Sequence, residues 1–189
     1  MSLIKTNARS SSALDATILT GNLPSISGAS LTGVSAGKVL QVQQTVKTDT
    51  FTTSSSMVDI TGLTVNITPS SSSNKILVLS TLNGSQEVAV TRGYVIMYRD
   101  STPIFVGTNT SSRFGGSGSF SSVSGSIASP SISSSFLDTP NTTSQITYKW
   151  QGGNKGNPGG FYINRTEDDG NDATQIRMAS SITCLEIEG

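Results

Sequence analysis

After residue 37, hydrophobic and polar residues alternate along most of this chain with a period of two, the mark of strands that turn one face to a core. Residues 38–48 set the pattern, with Leu40, Val42 and Val46 on one side and Gln41, Gln43 and Thr45 on the other. Val58 and Ile60 open a shorter strand. Leu63, Val65 and Ile67 give a clean one, stopped by Pro69 and the serines at 70–73. Residues 76–79 (ILVL) are the longest purely apolar run and mark a central strand, which continues through Leu82 to an Asn83-Gly84 turn. Further strands are expected at 94–98, 104–106, 145–151, 161–165 and 181–188, with a turn at 168–172 around Asp169-Gly170. The Gly- and Ser-dense stretch 107–135 reads as irregular strands and long surface loops. Eight or so short strands and no credible helix predict an all-β fold, an antiparallel jelly-roll-like β-sandwich.

Two strands carry more apolar residues than one core face uses. Ile76 and Val78 oppose Leu77 and Leu79, and Tyr94, Ile96 and Tyr98 oppose Val95 and Met97. Either such strands are covered on both faces within one chain, or the second face meets a neighbouring subunit; the second reading assigns Leu77, Leu79, Val95 and Met97 to an oligomer interface. The stretch before residue 38 points the same way. Its thread of Leu14, Ile18, Leu19, Leu23, Ile26, Leu31 and Val34 is too sparse for a private core and is broken by Gly21, Pro24, Gly28, Gly33 and Gly37. Leu19-Thr20-Gly21 recurs as Leu31-Thr32-Gly33, which suits a slender stem of wound identical chains, with Leu19, Leu23, Ile26 and Leu31 as contacts. A disordered tail has the same composition. The chain therefore divides into an N-terminal anchor and extended stem, 1–37, and a β-sandwich head, 38–189.

Composition narrows the chemistry. The 189 residues are 34% hydrophobic and 13% charged, with 12 basic residues against 12 acidic ones, so no net field favours nucleic acid. No apolar stretch is long enough for membrane insertion, and residues 1–12 lack the apolar block of a signal peptide, so synthesis in a cytoplasm is expected. The absence of histidine removes Ser-His-Asp and Cys-His nucleophile pairs and imidazole metal sites. No catalytic residue and no cofactor is assigned. Glu167, Asp168, Asp169 and Asp172 surround Gly170 without the spacing of an EF-hand, which favours a structural turn over a calcium site; no metal is assigned. The lone Cys184, between Ile182 and Leu185, reads as a buried thiol.

Recognition is expected in the loops. Residues 152–160 (GGNKGNPGG) lack the Lys-Ser/Thr ending of a phosphate loop and read as a mobile hairpin loop flanked by Trp150 and Phe161. Trp150 suits either a core position, which strand parity favours, or an exposed platform for a sugar ring. Trp150, Asn154, Lys155 and Asn157 are the first candidate contacts with a receptor. Arg113 and Phe114, with Asn109, form the second.

These residues carry a resemblance. LTGNLPSISGASLTG, residues 19–33, resembles the segment joining anchor to head in many bacteriophage tail-fibre proteins. GKVLQV at 37–42, SFLDTP at 135–140, ITYK at 146–149, YINR at 162–165 and ITCLEI at 182–187 resemble, in that order, a domain of virion fibre proteins of marine and freshwater phages. The resemblance implies a homotrimer whose heads are similar to the tumour-necrosis-factor and complement C1q sandwich. It implies a stem that holds other virion proteins, of tail, baseplate or capsid. It further implies a head that binds a host surface glycan or protein, or a capsid decoration without dedicated receptor specificity, and no enzymatic activity.

Overall fold

The computed structural model describes residues 38–54, 56–87, 93–120, 129–154 and 159–189. Among them there is no helix, and the expected stem, with Leu19, Leu23, Ile26 and Leu31, lies outside the described residues. The described residues form eleven strands in chain order: β1 (Val39–Lys47), β2 (Phe51–Thr53), β3 (Val58–Ile67), β4 (Lys75–Gln86), β5 (Gly93–Arg99), β6 (Thr102–Ile104), β7 (Gly118–Phe120), β8 (Ser131–Asp138), β9 (Ile146–Gly153), β10 (Phe161–Ile163) and β11 (Ser180–Ile187). One sheet runs β1-β11-β4 with β8 on the far side of β4, and β10 and β2 continue it beside the end of β4. The other runs β3-β9-β5, with β6 and β7 both on the free side of β5.

Every pairing is antiparallel, and the pairs nest. β1 joins β11, β3 joins β9, β4 joins β8, and β5 joins β6 and β7, as if one long hairpin had been rolled up on itself. That nesting is a jelly roll. Between the sheets lies one core, in which Ile76, Val78, Leu82, Ile182 and Cys184 meet Leu63, Val65, Ile67, Val95, Met97, Tyr148 and Trp150. Inter-sheet hydrogen bonds cross it, among them those from Trp150 Nε1 to Ser80 Oγ (2.9 Å) and from Tyr148 Oη to Asp138 Oδ2 (2.6 Å).

Several expectations need correction. Val95 and Met97 are fully buried and face this core, so they are not interface residues; the outward side of β5 carries Tyr94, Ile96 and Tyr98. Asn83-Gly84 is no turn, because β4 runs on through Gln86 to pair with β10. Gly84 is there for space: a Cβ would lie 2.5 Å from the Tyr162 carbonyl oxygen and 2.9 Å from the Phe120 ring. The two short strands expected around 58–67 are one strand, whose register shifts between Asp59 and Thr64 about Gly62 at φ +84°. That shift lets Ile60 and Leu63, of opposite parity, both reach the core. Val42 and Val46, expected on the buried side of their strand, are more than half exposed.

Leu77 and Leu79 do point away from the core, on a face that nothing among the described residues covers. In register across that face, Val42 pairs Leu185, Leu185 pairs Leu77, and Leu77 pairs Leu137, an apolar row spanning the whole width of the sheet. Val42 is 53% exposed, Leu137 49% and Leu79 38%.

Candidate functional site

The outward face of the second sheet carries a shaped surface. β5 turns Ile96 and Tyr98 outward, and the turn into β6 is fastened to β9 by two hydrogen bonds between Asp100 and Thr147, at 2.8 and 2.9 Å. Beyond β6 the chain folds back. Gly107 N donates to Gly116 O (3.2 Å), Thr110 and Arg113 exchange backbone hydrogen bonds (3.2 and 2.9 Å), and Asn109 Oδ1 accepts from Gly115 N (2.6 Å). Ser117 then returns to β5, donating to Val95 O (2.9 Å) and accepting from Met97 N (3.0 Å).

The Gly- and Ser-rich composition has a local cause here. A side chain at Gly115 would collide with the Gly107 backbone, and Asp100, Phe105 and Ser111 hold left-handed backbone angles, at φ 53°, 53° and 54°. Phe105 is bulky and disfavours that region, and its ring stands against Phe136 with centroids 5.5 Å apart. Phe114 is set edge-on to Tyr94, with centroids also 5.5 Å apart and planes at 84°. Two adjoining clefts result. One, of about 460 Å³, is lined by Ser56, Met57, Ile96, Tyr98, Pro103, Val106, Asn109, Phe114 and Gly115. The other, of about 350 Å³, is lined by Asn109, Ser111, Ser112, Arg113 and Phe114. They share Asn109 and Phe114.

Among the described residues, Arg113 is the one charged side chain lining either cleft. It is exposed and has no ion pair among the described residues. Beside the floor, on β9 and β3, Lys149 Nζ binds Asp59 Oδ2 at 2.8 Å and Gln151 Nε2 donates to Asp59 Oδ1 at 2.8 Å. The Lys149 hydrogen bond, helped by Gln151, holds the Asp59 carboxyl below its usual range, so this neighbour stays a neutralised pair.

The structure thus gathers Arg113, Phe114 and Asn109 as the sequence proposed, and scatters the other candidates. Trp150 is fully buried between the sheets and bonded to Ser80, so it is no platform for a ligand. Asn154 is buried too, and its Nδ2 donates to Gly159 O at 2.6 Å across the neck of its loop. Lys155 and Asn157 lie outside the described residues.

The acidic turn is occupied from within. Asp169 is shared by Arg177 (2.5 Å) and Arg165 (3.4 Å), and Asp172 Oδ1 accepts from the amide and hydroxyl of Thr174 (2.8 and 2.7 Å). Arg165 lies 4.4 Å over the Tyr162 ring. Among the described residues no three acidic or thiol side chains converge as metal ligands would.

Alternation along β11 places Glu186 on the core side with Ile182 and Cys184, a position legible in the sequence although its role was not. Its carboxylate, fully buried, accepts from Gln41 Nε2 (2.6 Å), Ser70 N (2.7 Å), Ser70 Oγ (2.8 Å) and Asn74 Nδ2 (2.5 Å). At the same end of the sandwich, Arg99 Nη1 lies 2.9 Å from both Asp138 oxygens. Burial first, then the hydrogen bond to Asp138, push the Tyr148 hydroxyl far above its usual range. Both networks join strands, and neither lines the two clefts.

Fold and surface together define a jelly-roll domain with one apolar sheet face left uncovered by the described residues and an aromatic, weakly cationic double cleft on the other sheet. No protein-family model matches the chain, and no curated protein does. Among solved structures it is similar to a chain of infectious bursal disease virus, Gx strain, at 12% identity and a TM-score of 0.37. That similarity covers 88% of this chain and 41% of the viral one, and it is too loose to bear on fold or function.

Proposed function

We propose that this chain is a virion fibre protein whose heads associate as a homotrimer and bind a host surface molecule through loops at the 105–115 cleft, without catalysing a reaction. The observation that carries the reading is the apolar row Val42–Leu185–Leu77–Leu137. Water beside such a row costs free energy in proportion to its area, about 25 cal/mol per Å², and a second copy with its own row relieves it. The sequence resemblance supplies the trimer and the viral setting, and threefold repetition lets weak sites act together.

Two measurements test it. Light scattering on the purified chain is expected to give about three times 19.6 kDa; a monomer overturns the assembly. Excess purified protein is expected to block adsorption of the virus that carries it; adsorption unchanged by that excess overturns receptor binding. Immunogold labelling of virions places the fibre on tail or capsid.

A further inference from the structure

We infer that the double cleft binds an anionic sugar, a pyranose unit bearing a carboxylate or phosphate, with its ring over Tyr98 and Phe114 and its charge against Arg113. The assignment rests on the receptor-binding reading and gives it a ligand class. Four features select that chemistry. The larger cleft offers Ile96, Tyr98, Pro103, Val106 and Phe114 as an apolar floor, suited to the C–H face of a sugar ring, and Asn109 stands at the junction with its smaller neighbour. The smaller cleft adds the Ser111 and Ser112 hydroxyls, which match a polyol rim. Among the described residues no Asp or Glu lines either cleft, so none of them sets a competing carboxylate against the Arg113 guanidinium. Finally, Arg113 sits on a tight hairpin closed by its two hydrogen bonds to Thr110, so its backbone is placed before any ligand arrives.

A neutral apolar ligand leaves the guanidinium and hydroxyls unanswered. A bare anion leaves the aromatic floor exposed. A sugar with one acidic substituent answers both.

The test is calorimetric titration of the full-length protein with an oligouronate, its carboxyl-reduced neutral counterpart, and a phosphodiester-linked glycan. At least one acidic glycan is expected to bind about tenfold more tightly than the neutral one, and the two acidic arms identify the anion. Arg113→Gln is expected to remove that preference while keeping the circular dichroism spectrum. Phe114→Ala weakens all three glycans, and Lys75→Gln, on the opposite sheet, changes none. Equal affinity for neutral and acidic glycans, or full acid preference in Arg113→Gln, overturns the inference. Absence of any glycan binding by a protein that still blocks adsorption overturns the ligand class and leaves receptor binding standing. Acidic-glycan binding without effect on adsorption does the reverse.

Discussion

Glu186 shows how one residue sets the acid limit of the fold. Burial raises its carboxyl pKa, but hydrogen bonds from Gln41, Asn74 and Ser70 outweigh burial and hold it at about 2, against 4.5 for a free glutamate. A carboxyl depressed by folding stabilises the native state fully above its unfolded pKa, and that contribution fades as pH falls from about 4.5 through about 2. Thermal melts across that window are expected to show a falling Tm. Glu186→Gln keeps one acceptor but turns an amide N–H toward neighbouring donors, so it is expected to lose about 2 kcal/mol at pH 7 and to flatten the acid limb. A variant with the wild-type slope between pH 5 and 2 refutes this account. The core tryptophan is a similar case. Trp150→Phe strands the Ser80 hydroxyl inside the sandwich and leaves a small void, with an expected cost of about 2–3 kcal/mol by urea denaturation. Cys184, whose thiol pKa burial pushes up to about 12, is expected to resist maleimide in the native protein and to react once it is unfolded.

At the level of strands, what the sequence revealed tracks where the physics is local. β1, β3, β4, β9 and β11 were readable because alternation is a property of neighbouring residues, and the run at 76–79 did mark the strand with partners on both sides. β8 was missed as a regular strand because three of its outward positions are Ser131, Ser133 and Ser135, leaving only Leu137 on that side and Ile132 and Phe136 on the other to signal it. Its strand state comes from pairing with β4 over the whole length from Asn83 to Ile76, which no local pattern encodes. The cleft was half legible for the same reason. Arg113 and Phe114 advertise themselves as charge and ring in a polar stretch, whereas Ile96, Tyr98 and Pro103 join them only through the fold. Val95 and Met97 were misassigned because parity alone does not say which side of β5 is inside. Gly84 belongs to this scale as well. In Gly84→Ala the methyl meets the Tyr162 carbonyl, a backbone atom held in the β4–β10 ladder, so the variant is expected to lose about 1–3 kcal/mol. An unchanged Tm contradicts that.

For the whole molecule, the two sheets have unequal fates. The second sheet shields its own outer apolar residues, since the 105–115 fold-back covers Ile96, which is 6% exposed. The first has no such cover among the described residues, and its exposed side chains belong to β1, β4 and β8 rather than to a single edge, so the association proposed above would use the broad face. Leu137→Asp places a charge at the end of the apolar row, where the single chain leaves the side chain half exposed and loses little by the change. The same charge is buried without a counter-ion when copies meet, a cost of several kcal/mol repeated at each contact. The expected outcome is a drop in mass by sedimentation to a single chain, with the β-sheet circular dichroism spectrum retained, while Ser119→Asp, exposed on β7 of the other sheet, leaves the mass unchanged. If Leu137→Asp sediments as the wild type does, the broad face is not where copies join.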